Sequence, residues 1–425
     1  MTSGRQVDMS TSTAVRIRAA LAAAMCASSA VAQDLHLIPG AQYISGLSAD
    51  GRVAAGYTPI EFLYWTVETD VVYIGGAAPG SQGIGGSCGI STDGTRIVGN
   101  TFNVSGKTEA SVYSVPDAAW TSTGSLGFNC DISSSSGWAI SGDGLTVGGG
   151  IIAAAGCDFR GLHYSSSVGI RTLPTAYFYK PTRVNAINAD GTVLVGWNDD
   201  YNGLRQGSVW RWNGTSYTQT LITTPSGAKM GEASCVSADG TRVFGFGNFD
   251  GVQKNYMWTQ ATKAVSLGDS PIGLSSYVTG CNADGTMAAC FFRVPAPPPT
   301  SGEGYVWIEG RGYVALEVWA AENGVIVPND VRLSLPLCMS ADGRSVGGAG
   351  RTSFGVRAFV LNLPPLASCD GDIDGDGAVG GLDLTALLAA WGPCGAGACG
   401  GDLNGDSSVD GLDLTALLAA WGDCP

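Results

Sequence analysis

Seven short stretches of the chain share one pattern of apolar and polar positions. In each stretch an Asp-Gly pair follows a short apolar run and precedes alternating residues, most of which end in glycine. Alternation with a period of two on both sides of an Asp-Gly pair is typical of a β-hairpin. The seven copies are LSADGRVAAG, ISTDGTRIVG, ISGDGLTVGG, INADGTVLVG, VSADGTRVFG, CNADGTMAAC and MSADGRSVGG, with their aspartates at Asp50, Asp93, Asp143, Asp190, Asp239, Asp284 and Asp342.

A further strand pattern follows each hairpin at a similar distance. It reads FLYWT (62–66), ASVYS (110–114), GLHYS (161–165), SVWRW (208–212), YMWTQ (256–260), YVWIE (305–309) and AFVLN (358–362). The copies lie 43 to 58 residues apart, and the longest gap contains a Pro-rich insertion at 294–304, which we expect to be a loop. Four short strands at this interval are the pattern of a β-propeller blade, so seven copies predict seven blades.

The two ends of the repeat region predict how the ring closes. The seventh copy stops after AFVLNLP without a fourth strand, whereas LHLIPG at 35–40 is a strand with no repeat before it. We expect the early strand to complete the seventh blade, which would remove two exposed sheet edges.

Structural roles account for the most conspicuous side chains of the repeats. An Asp side chain caps its own turn and the following Gly tolerates positive φ, so we expect the seven Asp residues to stabilise turns rather than bind metal or catalyse. We expect Trp65, Trp210, Trp258 and Trp307 to form core between blades rather than a platform for sugar. The loop WNDDYNG (197–203) and Glu232 form the nearest approach to a polar cluster, and we interpret both as solvated.

The end of the chain contains a second repeat, which is helical. The stretch GLDLTALLAAWG occurs at 381–392 and again at 411–422. Its apolar residues have the spacing of a single helical stripe, and such a short helix is not stable alone, so we expect the two stripes to pack together. The stripe residues are Leu384, Leu387, Leu388 and Trp391 in one copy and Leu414, Leu417, Leu418 and Trp421 in the other.

Each helix is joined to a loop rich in oxygen side chains. The loops are DIDGDGAVGGLD and DLNGDSSVDGLD, and hard oxygen donors at positions 1, 3, 5, 7 and 12 suit Ca²⁺. We therefore predict two bound Ca²⁺ ions and a fold that depends on them. Position 6 is Gly377 in one loop and Ser407 in the other, where we expect slight strain. The predicted ligands are Asp372, Asp374, Asp376, the Ala378 carbonyl and Asp383, then Asp402, Asn404, Asp406, the Ser408 carbonyl, Asp410 and Asp413.

Charge and composition narrow the possible partners. The formal net charge is −14, and ten Asp residues with no Lys, Arg or Glu lie within 369–425. Such acidity favours a cation and disfavours nucleic acid as a partner. With two His in the chain, a site built from several His is largely excluded.

The first residues predict export. Arg16 and Arg18 precede a short apolar run that ends in Ala30-Val31-Ala32, which is typical of a signal peptide at 1–32. No later apolar run is long enough to span a membrane, so we expect a secreted chain, extracellular or at the cell surface. In that compartment Cys130 and Cys157 could pair, whereas Cys88, Cys235, Cys281 and Cys338 fit buried positions of first strands.

Two resemblances follow from these motifs. The alternation of an aromatic strand, a Leu-Gly strand and an Ile-Ser-Ala-Asp-Gly turn resembles the secreted HAF-type repeat proteins over about 34–366, with Arg357 where the family name has His. We expect the apolar position-8 residues Val379 and Val409 to pair the two loops. With these residues, their loop ligands and the duplication, residues 370–421 resemble a type I dockerin. The resemblance implies attachment to a cohesin-like or other cell-surface protein, often in polysaccharide-degrading assemblies. Cohesin-binding dockerins usually carry Ser-Thr where this chain has Gly-Leu at 381–382 and 411–412.

The cysteines of the tail also repeat at an interval of thirty residues. If a two-fold axis relates the two halves, the start of one lies near the end of the other, which favours the pairs Cys369–Cys424 and Cys394–Cys399. The pairing within one repeat would span a helix of about 15 Å, beyond the reach of a disulfide unless the loop folds back.

These patterns predict a mainly β protein, a seven-bladed β-propeller at 33–363, followed by a linker at 364–368 and a small all-α, dockerin-like calcium module at 369–425. The favoured hypothesis is a non-catalytic binding or display protein that docks through its tail, with polysaccharide a candidate ligand of the propeller. The alternative is a carbohydrate-active enzyme, a polysaccharide hydrolase or lyase with the propeller as catalytic domain, and a third hypothesis is a structural member of a surface layer. Carboxylates and tyrosines at one mouth of the channel would favour the enzyme, whereas an apolar channel would disfavour it.

Overall fold

The computed structural model describes residues 34–78, 88–130, 133–294, 299–364, 371–374, 378–394 and 399–423. The chain divides between Leu363 and Pro364 into two compact units, Gln33–Leu363 and a unit that contains Pro364–Pro425. The predicted signal peptide (1–32) and nearly all of the predicted linker (364–368) lie outside the described residues.

The first unit is a seven-bladed β-propeller, as the repeats predict. Within the described residues it contains seven antiparallel four-stranded sheets. Blades 1 to 4 are β2 (Tyr43–Leu47), β3 (Ala54–Tyr57), β4 (Phe62–Thr66), β5 (Asp70–Gly75); β6 (Gly89–Ile90), β7 (Arg96–Phe102), β8 (Thr108–Ser114), β9 (Ala119–Ser122); β10 (Ser135–Ile140), β11 (Thr146–Ala154), β12 (Asp158–Ser165), β13 (Gly169–Thr172); and β14 (Thr182–Ile187), β15 (Val193–Asp199), β16 (Arg205–Trp212), β17 (Tyr217–Leu221). Blades 5 to 7 are β18 (Ala233–Val236), β19 (Val243–Phe249), β20 (Val252–Thr259), β21 (Lys263–Ser266); β22 (Ser275–Cys281), β23 (Met287–Arg293), β24 (Glu303–Ile308), β25 (Gly312–Ala315); and β26 (Arg332–Met339), β27 (Ser345–Thr352), β28 (Gly355–Asn362) with β1 (Asp34–Ile38).

The closure of the ring is confirmed. Strand β1 pairs antiparallel with β28, from Asp34 opposite Asn362 to Ile38 opposite Ala358. Blade 7 therefore takes three strands from the end of the propeller sequence and its fourth from the beginning. Neither β1 nor β28 is left without a partner strand along this edge.

One polar network closes the Asp-Gly turns. In blade 5 the Ser237 hydroxyl donates to the Asp239 carboxylate at 2.6 Å and accepts the N–H of Arg242 at 3.0 Å. The same carboxylate accepts the N–H of Thr241 at 2.9 Å. All seven turn aspartates accept the backbone N–H two residues further on, and the seven following glycines have φ between 68° and 75°. These contacts confirm the structural role expected for the aspartates.

Backbone hydrogen bonds between successive turns form a closed ring. Six of them join the residues just before the Asp-Gly pairs of neighbouring blades, and the seventh is donated by Asp143, the turn Asp of blade 3. The residue before each turn Asp is small in every repeat because the peptide groups approach closely. The ring closes because Ala49 both donates the first bond and accepts the last. The bonds are Ala49 N to Thr92 O (2.8 Å), Thr92 N to Gly142 O (2.9 Å), Asp143 N to Ala189 O (3.0 Å), Ala189 N to Ala238 O (3.1 Å), Ala238 N to Ala283 O (2.7 Å), Ala283 N to Ala341 O (2.8 Å) and Ala341 N to Ala49 O (3.1 Å).

The four tryptophans of the third strands form core, as expected. Trp65, Trp210, Trp258 and Trp307 are all buried. Trp307 of blade 6 lies with its ring centroid 6.1 Å from that of Phe244 in blade 5, an edge-to-face contact across a blade junction.

Two segments differ from the expectation, one within blade 6 and one between blades 6 and 7. The insertion at 294–304, predicted to be a loop, contains the 3₁₀ turn Pro299–Ser301 and the start of β24 at Glu303. A short helix, α1 (Leu316–Glu322), then follows β25, and the sequence reading missed it. Leu316, Trp319 and Ala320 are buried on one face of α1 in the core of blades 6 and 7, so packing rather than helix length stabilises this element.

The second unit has two related halves. Its elements are β29 (Ala378–Val379), α2 (Gly381–Ala389), β30 (Gly392–Pro393), β31 (Ser408–Val409), α3 (Gly411–Ala419) and β32 (Gly422–Asp423). Strand β29 pairs with β32 and β30 pairs with β31, so each loop strand pairs with the segment that follows the other helix. Val379, Leu387, Val409 and Leu417 are fully buried in the shared core.

This arrangement corrects three expectations about the tail. The unit is not all-α, since four short strands accompany the helices in the described residues. Val379 and Val409 do not pair one loop with the other, although both enter the core. The apolar stripes are only partly buried, because the helices share one buried layer through Leu387 and Leu417. The outer stripe residues Leu388, Trp391, Leu418 and Trp421 are about half exposed.

Among the described residues we find no helix whose length and hydropathy would let it cross a bilayer.

The turn network predicts that the propeller loses stability in acid. The hydrogen bond from Ser237 and the N–H of Thr241 lower the pKa of Asp239. A carboxyl whose folded pKa is depressed contributes stability above its unfolded pKa of about 3.9, and this contribution is lost as the pH falls through the folded value. In urea unfolding we expect Asp239→Asn to destabilise the chain by about 1 kcal/mol at pH 7 and by clearly less at pH 3.

The matched control is Glu68→Gln, an exposed carboxylate between β4 and β5. It should leave the unfolding free energy nearly unchanged at both pH values. An equal cost of Asp239→Asn at pH 7 and pH 3 would contradict the role of the ionised turn carboxylate.

Candidate metal loops and central cavity

The first tail loop brings three of its predicted ligands together. Asp372, Asp374 and Asp383 each place a carboxylate oxygen within 4.8 Å of the others, the one such group of three metal-binding side chains among the described residues. Ala378, the predicted carbonyl ligand, lies in β29. Asp376 lies outside the described residues.

Asp383 is held by backbone N–H groups of its own loop. One carboxylate oxygen accepts the N–H of Ile373 at 2.6 Å and that of Asp374 at 3.1 Å, and the other accepts the N–H of Gly380 at 2.7 Å. The Gly380 bond is the main cause that lowers the pKa of this buried carboxyl. The side chain is therefore kept ionised, which is the form that a metal ligand requires.

The second loop repeats these contacts. Asp413 accepts the N–H of Leu403 at 2.8 Å, of Asn404 at 3.1 Å and of Asp410 at 2.8 Å. The bond from Asp410 is the main cause that lowers the pKa of Asp413. Asp410 also caps α3, since its carboxylate accepts the N–H of Leu412 at 2.7 Å. The two loops thus share one hydrogen-bonding pattern.

The remaining predicted ligands of the second loop are ordered by short local bonds. Asp402 accepts the N–H groups of Gly405 at 2.8 Å and Ser407 at 2.8 Å, and Asp406 accepts the N–H of Ser408 at 2.9 Å. Asp402 also accepts the N–H of Asp406 at 3.1 Å, and Asp406 accepts the side-chain N–H of Asn404 at 3.1 Å. An ionised carboxylate has about four acceptor positions, so about one on Asp402 and two on Asp406 remain for a cation. The donor set of carboxylates, the Asn404 side chain and a carbonyl fits Ca²⁺, which prefers oxygen ligands.

Two disulfides lie among the described residues. Cys394 pairs with Cys399 beside the second loop, and Cys130 pairs with Cys157 in blade 3. The other expected tail pair, Cys369 and Cys424, lies outside the described residues. Cys88, Cys235 and Cys338 are buried free thiols of the propeller, in agreement with their expected positions, whereas the free thiol Cys281 is only half-buried.

Ser407 adopts a backbone conformation that favours glycine. Its φ is 73°, in the left-handed region that costs an L-residue about 1 kcal/mol or more. Ser407→Gly should therefore stabilise the second unit by about 1 kcal/mol, measured by calorimetry of the full chain.

Ser408→Gly is the neighbouring control. Ser408 lies in β31, where glycine weakens a strand, so this variant should lower the same transition. If both variants shifted the transition in the same direction, the positive φ at Ser407 would not be a source of strain.

The first strands of all seven blades line a central cavity of about 580 Å³. In six of them the ladder to the second strand is interrupted by a β-bulge at the same place, five residues before the turn Asp. A bulge re-aims a side chain, and all the bulged residues line the cavity. They are Ser45, Trp138, Asn185, Ser234, Thr279 and Leu337, with Cys88 at the equivalent position of blade 2.

Several bulged side chains also bind the next blade. Ser45 donates to the carbonyl of Cys88 at 2.9 Å, Asn185 to that of Ala233 at 2.7 Å, and Thr279 to that of Pro336 at 2.9 Å. The bulged layer therefore joins neighbouring blades while it lines the cavity.

The cavity has an apolar layer at the end near the Asp-Gly turns, which we call the floor. Its seven side chains come from the position three residues before each turn Asp, one from each blade. They are Leu47, Ile90, Ile140, Ile187, Val236, Cys281 and Met339.

The opposite end, which we call the mouth, carries charge and aromatic rings. Arg183, Glu232 and Tyr277 lie seven residues before their turn Asp and line the cavity. The Arg183 guanidinium lies 3.7 Å from the Trp138 ring centroid, and its Nε donates to Asn185 at 2.9 Å. Burial lowers the pKa of Arg183 to about 10, so the group stays protonated at neutral pH.

Glu232 is held mainly by a second arginine. Arg205 lies 2.5 Å from its carboxylate, whereas the nearest Arg183 nitrogen is 4.0 Å away. Arg205 also lies 4.5 Å from the ring centroid of Trp197. Trp197 and Glu232 thus both contact Arg205 and are largely buried, so our interpretation of them as solvated was wrong. Residues 201–203 of the same loop are exposed, as expected.

The sequence reading missed the mouth because its members are far apart in the chain. Arg183 and Glu232 lie 49 residues apart, each four residues before its hairpin motif, and of the two only Glu232 is singled out in the sequence analysis. The repeat could have identified these residues, because alignment of the blades on the turn Asp places Arg183, Glu232 and Tyr277 at one equivalent position.

The chain aligns with several solved structures, and the alignment at a TM-score of 0.51 supports the propeller fold. The β-propeller domain of Cps50 (Swd1) from Myceliophteria thermophila aligns with a TM-score of 0.51 and 11% identity, over 77% of this chain and 98% of that chain. An oligogalacturonate lyase from Vibrio parahaemolyticus aligns at 0.49 and 12%, over 78% and 92%. TolB from Acinetobacter baumannii aligns at 0.41 and 13%, over 65% of this chain, which spans only 64% of that protein.

At 11% identity the similarity to the Cps50 (Swd1) domain concerns the fold alone, and we infer nothing from the other two. No protein-family model and no curated protein matches the chain.

Proposed function

We propose that this chain is an exported, calcium-binding protein whose propeller binds or displays a ligand without catalysis, and whose tail docks to an extracellular or cell-surface protein. The observation that carries the proposal is the convergence of Asp372, Asp374 and Asp383 in the first loop. The matching hydrogen bonds of Asp413 support a second ion in the other loop. Carboxylates so close repel one another, and a divalent cation relieves that repulsion.

The exposed surface of the tail supports docking. Leu382 and Leu412 occupy equivalent exposed positions at the starts of the two helices. Leu388, Trp391, Leu418 and Trp421 add exposed apolar area, and exposed apolar residues in both halves are typical of protein-binding surfaces. Because Leu stands where dockerins carry polar residues, the partner we propose is a cohesin-like or other surface protein with a complementary apolar patch.

The described mouth gives little support to the enzymatic alternative. Glu232 is the single carboxylate among the described residues that line the cavity, and it is ion-paired with Arg205. Glycoside hydrolysis generally uses two carboxyl groups, one of them free to exchange a proton. Binding is therefore the function that this lining favours.

Calcium binding is tested by titration of the full chain. We expect calorimetry to give two Ca²⁺ per chain, and a chelator to lower the unfolding transition of the tail, because the apo loops bring like charges together. Asp383→Asn should remove one site, and the double variant Asp383→Asn/Asp413→Asn should remove both.

Glu68→Gln removes an exposed negative charge from the propeller, outside the predicted ligand positions, and should keep both sites. A stoichiometry below one, or a melting curve that the chelator does not move, would refute the calcium proposal.

Docking is tested by immobilising the full chain and passing the secreted and surface proteins of the producing cell over it. We expect one partner to be retained in Ca²⁺ and released by chelator. The double variant Leu382→Asp/Leu412→Asp should lose it at least tenfold, since charge would enter an apolar contact. Phe354→Asp, an equally exposed apolar residue of the propeller, should retain it; loss with Phe354→Asp but not with the Leu pair would place docking on the propeller.

A further inference from the structure

The central cavity joins two chemically different ends. The floor is one apolar side chain from each blade, whereas the mouth carries the Arg183 guanidinium and the rings of Trp138 and Tyr277. The two ends are separated by one layer of bulged residues. A ligand that fills the cavity would therefore meet apolar surface at one end and cationic surface at the other.

The charge at the mouth is positive overall. Glu232 is paired with Arg205 at 2.5 Å, and Asp200 is paired with Lys229 at 2.8 Å. The shorter ion pair of each acid is thus made by a cation other than Arg183, whose nearest nitrogen lies 4.0 Å from Glu232. Asp199, next to Asp200, is the third carboxylate of this region. Arg293 adds a further cation, 5.3 Å from the ring centroid of Tyr277.

Arg183 is fixed before any ligand arrives. Its guanidinium stacks on Trp138, bonds Asn185 and has only 14% of its side chain exposed. A guanidinium has five N–H donors in a planar fork that matches a carboxylate, and partial burial strengthens such a contact. A side chain held in this way loses little conformational entropy on binding.

The floor favours an apolar group. Four of its seven side chains, Leu47, Ile90, Ile140 and Met339, are buried, although they line the cavity. Water in an apolar pocket makes few hydrogen bonds, so an apolar group that displaces it gains free energy. The volume of about 580 Å³ is within the range of small-molecule sites.

We propose that the central cavity binds an amphipathic organic acid, with the carboxylate at Arg183 in the mouth and the apolar body along the bulged layer and floor. This names a ligand class for the binding role proposed above for the propeller and rests on that role. It does not depend on the calcium loops of the other unit.

The experiment is a set of titrations of the full chain with three probes. Decanoate has both required parts, 1-decanol lacks the charge, and acetate lacks the apolar body. We expect decanoate to bind about tenfold or more tighter than decanol, because only decanoate can form a charged hydrogen bond with Arg183. We expect acetate, which lacks the apolar body, to bind far more weakly than either.

Variants then place the two ends. Arg183→Gln should reduce the affinity for decanoate to that for decanol and leave decanol binding unchanged. Arg52→Gln, on the turn side of the propeller and exposed, is the matched control and should change neither.

A second variant keeps the test decisive if Arg183→Gln does not fold. Ser234 lines the bulged layer and is part-exposed, so Ser234→Asp places a carboxylate in the path of the ligand. It should weaken decanoate binding at least tenfold and decanol binding much less.

The inference is overturned if decanol binds the wild-type chain as tightly as decanoate, or if the folded variants leave their difference intact. Each titration is repeated with Ca²⁺ and with chelator, and the calcium stoichiometry is read separately. Loss of the anion preference with calcium binding intact defeats this inference alone, and loss of calcium binding with the preference intact defeats only the tail proposal. If none of the probes binds, this inference fails, whereas the binding role of the propeller toward other ligands is unaffected.

Discussion

The closed ring of peptide hydrogen bonds between the Asp-Gly turns is the constraint on which the propeller depends. Each bond fixes the end of one first strand against the next, and the ring leaves no blade free to slide. The turn networks of Ser or Asn with Asp hold the peptide groups in place for these bonds. Because the bonds need close approach, Ala, Thr or Gly precedes every turn Asp.

Alignment of the strand ends also aligns the residues above them. Side chains at one distance from the turn fall in one layer around the axis, which is why the floor, the bulged layer and the mouth can be counted from the Asp. The backbone of each layer is common to the blades, whereas its chemistry varies. At the mouth, neighbouring blades present Arg183, Glu232 and Tyr277 at one position. The backbone around the cavity is thus nearly symmetric, whereas the side chains that line it are not, and ligand selectivity depends on those differences.

The sequence predicted the seven blades, the closure by β1 and the four-stranded repeat, because local hairpin signals recur with the period of the fold. It missed α1, whose seven residues are too few for a periodic signal to stand out. It also missed the bulges, since one inserted residue interrupts the alternation that identifies a strand. In the tail, the stripe that includes Leu388 and Trp391 gave the helix face correctly. The sequence could not show how much of that face the other helix buries, because this depends on how closely the two helices pack and not on either helix alone.

The pairing of β1 with β28 has a consequence for how the propeller folds during synthesis. The two strands that meet are separated by nearly the whole propeller, from Asp34 to Asn362. During synthesis β1 is made early, but its partner strand β28 is made only near the end of the propeller. The backbone groups of β1 therefore stay unpaired while the first six blades assemble. Loop closure over such a distance is slow, which makes the last step of folding the one most exposed to wrong partners. Strand β1 is therefore the part of the propeller that most needs protection by other proteins from wrong strand pairing before the ring closes.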